Sequence, residues 1–401
     1  MNNEIIFIEA GPADSFGKIA WALKKRGWKT CLISITEDKV NNFLNEAYDE
    51  IITTDFKFFR ISLSTIPNIA LYSLRKFKRI LNFISRVRKK NPYMIICRAT
   101  PNWICFLAMK YFRKYPFSYF PYDIRSFCYL DRNEAICSGV PSFELYAERY
   151  CFENADGIIH KGDKEELKLI PEEVLGKGIK ITAPEIQFLP YCLKEFMAPI
   201  NSNKLSKIDK EIHVVHVGHI AGIPQWIEPL KKIVSQNIHI HIYIKTVGLT
   251  KEESYNKNLL NLFGGLLKNK YFHLHGQIQQ KELAKEISKY DYGLWYGSEN
   301  IFKKSITLTT GNKISSYLEA GLPIIYFNNY YFVDKLLSKY KVGIKIESYD
   351  NLKEKLKKVR KVEIKKNIEK ARKDFEMHKQ ISRLEEFFSR VISYKKSKLK
   401  M

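Results

Sequence analysis

Residues Asn312–Asn328 read NKISSYLEAGLPIIYFN, a short helix, a hard stop and a buried strand. Ile314, Tyr317 and Leu318 recur at helical spacing. Gly321 ends the helix and Pro323 forbids its return. Ile324, Ile325, Tyr326 and Phe327 then form an apolar run suited to an interior parallel strand. Lys313 falls in the first helical turn, where backbone N–H groups and the helix dipole favour an anion.

Working outward, the same alternation fills the chain. Strands are predicted at Ile5–Glu9, Thr30–Ile35, Glu50–Thr54, Tyr93–Arg98, Phe117–Tyr122 and Gly157–His160, with amphipathic segments between them. A second series follows at His213–Gly218, Ile238–Ile244, Phe272–His275, Tyr292–Tyr296, Ile324–Phe327 and Val342–Ile346. Ser202–Lys210, SNKLSKIDK, is polar and reads as a linker. Such alternation predicts α/β architecture, two doubly wound Rossmann-like domains with parallel sheets and an interdomain cleft. The expected division is 1–195, 196–375, and a basic helix 376–401 that could pack back on the N-terminal domain.

A chain of 401 residues suits two cores, and 45% hydrophobic with 13% aromatic content marks a folded protein. The seven cysteines include no CxxC pair and sit mainly in apolar runs, as reduced buried thiols do. The start, MNNEIIFIEAG, carries Glu4 where a signal peptide would be basic. No apolar run reaches the roughly 18 residues of a spanning helix. A cytoplasmic protein at the inner face of the cell membrane is the expectation.

Five ordered segments carry a family resemblance: YCFENADGIIHKG at Tyr150–Gly162, FLPYC at Phe188–Cys192, VVHVGH at Val214–His219, the Phe272–Asp291 segment, and the Asn312–Asn328 stretch. Together they resemble the GT-B glycosyltransferases of family-4 type, over most of the chain. The resemblance implies an acceptor domain followed by a nucleotide-sugar donor domain, sugar transfer to a lipid-linked or cell-surface glycan, and no cofactor. An epimerase of the same fold, or an inactive binding protein, are the alternatives. The family's usual pair of glutamates with seven residues between them is missing. Leu308 and Ser316 stand in their places, and Glu319 comes three residues late.

A departing nucleoside diphosphate needs cations and N–H donors. Lys313 is the first candidate, with Thr309, Thr310 and Gly311 ahead of it and Asn312 beside it. Gly218 and His219 end one strand and Lys245 ends the next, while Gly276, Gln277 and Ile278 match the turn that meets the base in relatives. Ser316 completes the donor set. On the acceptor side, Gly11 lies in the first strand-to-helix turn and Arg98 at a strand end, where it could grip an anion. Asp123 and Asp14 are the candidate general bases; Asp14 or Ser15 could instead be a helix N-cap.

No Asp-x-Asp motif is present, so metal-independent transfer is expected. His239 and His241, and His273 and His275, alternate along strands, and His213, His216 and His219 lie along another, which permits a metal cluster, but packed strand histidines are the simpler reading. The net charge is +24, and between Asp55 and Asp123 there is no acidic residue. Within that stretch Ile69–Lys90 reads as a basic amphipathic helix, the composition of an element lying on an anionic membrane surface. No nucleic-acid motif accompanies the charge.

Overall fold

The apolar runs form strands because a parallel sheet is buried on both faces and selects continuous β-branched and aromatic sequence. In the computed structural model, which describes residues 3–11, 13–34, 41–53, 85–99, 101–200, 203–218, 224–244, 263–276, 278–295 and 307–400, these runs make two all-parallel sheets. The chain divides into two units, Met1–Phe188 with Ile381–Met401, and Leu189–Gln380.

The first unit holds β1 (Glu4–Glu9), β2 (Lys29–Ser34), β3 (Glu50–Thr53), β4 (Met94–Arg98), β5 (Phe117–Phe120), β6 (Gly157–His160) and β7 (Glu185–Gln187). Their order is β3-β2-β1-β4-β5-β6-β7. All six residues of β1 are buried. The tail belongs here: Ile381, Leu384, Phe387, Phe388 and Val391 are fully buried. Gly157 lets them close in, since a Cβ there would meet Val391 at 2.4 Å and Phe387 at 2.8 Å. Trp28 Nε1 donates to Glu385 at 2.7 Å, and Lys395 pairs with buried Asp156 at 3.0 Å.

The second unit holds β8 (Ile212–Val217), β9 (Ile238–Tyr243), β10 (Phe272–His275), β11 (Tyr292–Leu294), β12 (Ile324–Phe327) and β13 (Gly343–Ile346), in the order β10-β9-β8-β11-β12-β13. Each sheet therefore reverses direction of construction once, between β1 and β4 and between β8 and β11. The opening stretch folds as read: a helix Asn312–Ala320, Gly321 left-handed at φ +73°, then β12. Arg372 caps the far end of that helix, donating to Leu318 O at 2.6 Å and Glu319 O at 2.7 Å.

Several details differ from the sequence reading. Ser202–Lys210 is not a free linker; its described part is anchored in the second unit. Lys204 Nζ donates to Ser288 O and Tyr290 O, and Ser206 Oγ to Asp291. The units meet in sequence at Phe188, ahead of the expected residue 195. β7 went unread because three residues are too few for a periodic signal. The N-cap position of the first helix, Asp14–Lys25, is Ala13, whose N–H donates to Glu9 at 2.9 Å. Of Ile69–Lys90 only 85–90 lie within the described residues. There Lys90 is drawn into the fold, 2.7 Å from buried Glu4 and 2.5 Å from Glu50, with Arg86 3.1 Å from Glu50. The cysteines are all unpaired thiols, five of them buried.

One buried acid makes the fold pH-sensitive. Glu148, on the helix Ser142–Asn154, is fully enclosed and accepts from Ser126 N at 3.2 Å. Burial pushes its carboxyl up to about 8, against the Ser126 hydrogen bond and with help from Glu144. The folded protein thus holds this proton where the unfolded chain, titrating near 4.5, has lost it. Stability from this group is complete below about 4.5 and is lost as pH rises through about 8. Glu148→Gln should therefore flatten the loss between about pH 5 and about pH 8 in urea melts; a variant with the same slope as wild type would assign that loss to other groups.

Candidate active site

In doubly wound sheets, ligands bind outside the carboxyl ends of the strands, at the point where strand order reverses. In the second unit that point lies beyond β8 and β11. Gly218 follows β8 with φ +98°, a backbone region that favours glycine. Trp295 follows β11, its N–H held by Ile325 O at 2.8 Å. The helix Asn312–Ala320 starts at the same place. A Cβ at Gly218 would touch Lys313 Cε at 3.6 Å, and one at Gly311 would press Trp295 at 3.3 Å. Lys313 Nζ lies 6.0 Å from the Trp295 ring centroid. Gly218, Gly311, Lys313 and Trp295 thus converge from three separate segments.

Tyr317 fixes this convergence. Its hydroxyl donates to Leu294 O at 2.8 Å and accepts from Val217 N at 3.3 Å, so one side chain ties the helix to both strands of the reversal. The ring occupies the place of a side chain at Gly293, where a Cβ would lie 2.4 Å away. Just before the helix, Thr310 is 2% exposed and its Oγ1 has no hydrogen-bond partner among the described residues. Leaving such a hydroxyl unpaired costs about 1–3 kcal/mol, a cost that an incoming acceptor would remove. Lys313 and the first N–H groups of the helix present a cation and donors, the complement of an anionic oxygen cluster.

The other donor candidates are spread more widely. Thr309 is half-buried, Asn312 exposed and Ser316 buried in the helix interior. Gly276 and Ile278 flank the end of β10, two strands from β8. A Cβ at Gly276 would meet nothing within 4 Å, so packing does not require glycine there. His219, Lys245 and Gln277 lie outside the described residues, as does the side chain of Asp14. Glu319 is fully buried at the far end of the helix, accepting from Leu193 N at 2.8 Å. That explains why it cannot stand in for the missing glutamate pair at the helix start.

In the first unit, a polar cluster closes the carboxyl ends of β1, β4, β5 and β6. Glu9, 1% exposed, pairs with Arg98 at 3.4 Å. The Arg98 guanidinium lies 4.2 Å from the Tyr122 ring centroid, and Lys161 Nζ lies 3.7 Å from the same centroid. Lys161, itself buried, donates at 2.7 Å to Asp123, whose side chain is 69% exposed. Desolvation by the surrounding protein works to raise the Asp123 carboxyl. Lys161 first, and Arg98 after it, overcome that and hold it below the ordinary range. Gly11 sits in the bend after β1. Glu9, Tyr122, Lys161 and Trp295 were not singled out from sequence. The rule that found Arg98, a cation ending an apolar strand, would also have found Lys161 after GIIH.

The topology and the placement of this site define a GT-B fold, and comparison with solved structures agrees. The chain superposes on a sucrose-phosphate synthase from Thermosynechococcus elongatus with a TM-score of 0.68 at 12% identity, covering 98% of this chain and 99% of the other. It superposes on Anabaena HepE in complex with UDP and glucose at 0.64 and 12% identity, covering 96% and 99%. A glycosyltransferase from Rickettsia africae gives 0.58 and 13%, covering 98% and 99%. Residues 240–382 match the family model described as Glucosyltransferase 3-like, C-terminal domain. The resemblance to GT-B glycosyltransferases drawn from the sequence therefore stands. A search of curated proteins gives no match.

Proposed function

We propose that the chain is a glycosyltransferase that holds the diphosphate of a nucleotide-sugar donor at the strand reversal of its second unit. The observation that carries this is the meeting of Lys313 and the N-terminus of the Asn312–Ala320 helix beside Gly218. Developing negative charge on the leaving group would be met by groups already in place, which is what lowers such a barrier. Structural neighbours captured with UDP and with UDP-glucose support a uridine nucleotide as the probe, and the Glucosyltransferase 3-like match supports hexosyl transfer. Since Lys313 and the helix supply the positive charge, donor binding needs no divalent ion. Calorimetry with UDP in EDTA should show binding by wild type and a loss of about 1.5–3 kcal/mol in Lys313→Ala, the worth of a charge-assisted hydrogen bond. Binding that appears only with Mg²⁺ would refute metal independence, and equal affinity would remove Lys313 from the site.

We propose Asp123 as the general base that accepts the proton of the acceptor hydroxyl. Its exposure makes it reachable, and Lys161 keeps it ionised at neutral pH. Asp123→Asn should lower kcat by roughly 10²–10⁴ while UDP affinity is kept. Turnover at the wild-type rate would exclude the residue.

The acceptor we propose is a lipid-linked glycan met at an anionic membrane surface. The acid-free stretch supports this. So does a set of exposed side chains: Leu107 and Tyr111 on the helix Asn102–Tyr111, Phe143 and Tyr146 on the helix Ser142–Asn154, each about half exposed. Phe106 joins the two helices, 5.4 Å from Phe143 and 5.8 Å from Tyr146, and exposed Lys110, Arg113 and Lys114 lie alongside in sequence. Aromatic rings with flanking cations suit the headgroup level of a bilayer. Among the described residues no helix is long and apolar enough to cross one. Flotation should show salt-sensitive binding to phosphatidylglycerol liposomes, weakened by Lys110, Arg113 and Lys114→Gln. Equal capture by neutral liposomes would count against the surface.

A further inference from the structure

Away from the strand reversal, one face of β8, β9 and β10 carries five histidines: His213, His239, His241, His273 and His275. They form two hydrogen-bonded rows. His213 Nδ1 lies 3.0 Å from His241 Nε2, and His241 Nδ1 lies 3.0 Å from His275 Nε2. His239 Nδ1 lies 2.8 Å from His273 Nε2. The rows stack on one another, His213 on His239 at 4.4 Å and His241 on His273 at 4.2 Å. Each row ends on a carboxylate: His213 Nε2 meets Asp209 at 2.8 Å, and His239 Nε2 meets Glu211. His216, one residue out of phase, faces the other side against Trp226 and does not take part.

The carboxylates decide the tautomers. An ionised carboxylate can only accept, so Nε2 of His213 and of His239 carries a proton, and in the neutral ring Nδ1 then carries the lone pair. This carboxylate–histidine arrangement is the one that orients imidazole toward a metal ion. One nitrogen from each of His213, His239 and His241 lies within 4.8 Å of the others, and Asp209 and Glu211 group with His239 within the same limit.

We propose that His213, His239 and His241 bind a divalent transition-metal ion of the zinc class, with Asp209 and Glu211 as the outer carboxylates. Three imidazoles with nearby carboxylates are the donor set such borderline ions take. The two carboxylates offset the ion's charge. Binding needs His241 to present Nε2, so its proton moves to Nδ1 and is donated to His275. His275 in turn carries its proton on Nδ1, and no proton is released. The rings of His213 and His239 leave their parallel stack to face the ion. His213 stands five residues before Gly218, roughly 16 Å along the strand, so this site is distinct from the donor site.

The test is titration of metal-free full-length protein with Zn²⁺, and with Co²⁺ for its visible spectrum. One ion per chain should bind at micromolar Kd or tighter, with the intense absorption of a four-coordinate Co²⁺ site. His239→Gln should weaken binding at least tenfold and Glu211→Gln about tenfold or more, while His378→Gln, which alters an exposed histidine paired with Glu195, binds as wild type. If the strand variants fail to fold, ¹⁵N-histidine spectra of wild type decide: Zn²⁺ should shift the ring nitrogens of the five strand histidines together. Absence of binding, shifts confined to His160 or His378, or a loss in His378→Gln would overturn the proposal.

Discussion

The second unit depends on one contact, the Tyr317 hydroxyl set between Leu294 O and Val217 N. A parallel sheet leaves polar backbone groups open where neighbouring strands diverge at the order reversal, and buried groups of that kind must be paired. Tyr317 pairs one from each strand with a single oxygen. Because it stands on the Asn312–Ala320 helix, meeting this requirement also fixes where the helix begins. Gly293 is the matching concession, a strand residue reduced to hydrogen so that the ring can lie flat against the backbone. Gly311, Lys313 and Thr310 are then placed by a packing constraint, with no ligand needed to organise them.

The first unit solves the equivalent position differently. Its strand ends carry two cations and two carboxylates, Arg98 with Glu9 and Lys161 with Asp123, gathered about Tyr122. Formal charge there cancels. Burying Lys161 would be costly alone, and the Asp123 carboxylate and the Tyr122 face lower that cost. A balanced cluster is poorly suited to a diphosphate but well suited to positioning one ionised carboxylate at the surface. The asymmetry between the two strand reversals is the physical ground for placing donor and acceptor roles where we have.

Much of the fold was legible because the strands are long apolar runs and their helices carry clear stops. Gly321 and Pro323 alone placed the helix end and β12. The site was less legible. Lys313 could be read because a helix start announces itself locally. Glu9, Tyr122 and Lys161 could not, since their pairing joins strands far apart in sequence and only the sheet order brings them together. The helix Asn102–Tyr111 meets its partner on the helix Ser142–Asn154, 40 residues on, a contact that local sequence does not announce. Glu319, which comes three residues late for the family's pair, sits on the Asn312–Ala320 helix but accepts from Leu193 N.

The histidines show the same limit from another side. Period-two spacing put His239 and His241, and His273 and His275, each on one face of a strand, but spacing cannot say whether neighbouring strands bring those faces into register. β8, β9 and β10 are adjacent and parallel, with His213 opposite His239 and His241 opposite His273. That register turns two same-strand pairs and His213 into two continuous rows. It also sets the carboxylates, because Asp209 and Glu211 immediately precede β8 and fall at the row ends. Hydrogen bonds join the rings only within a row, so a change of tautomer at one ring requires the matching change in its row neighbours, and each row acts as a unit.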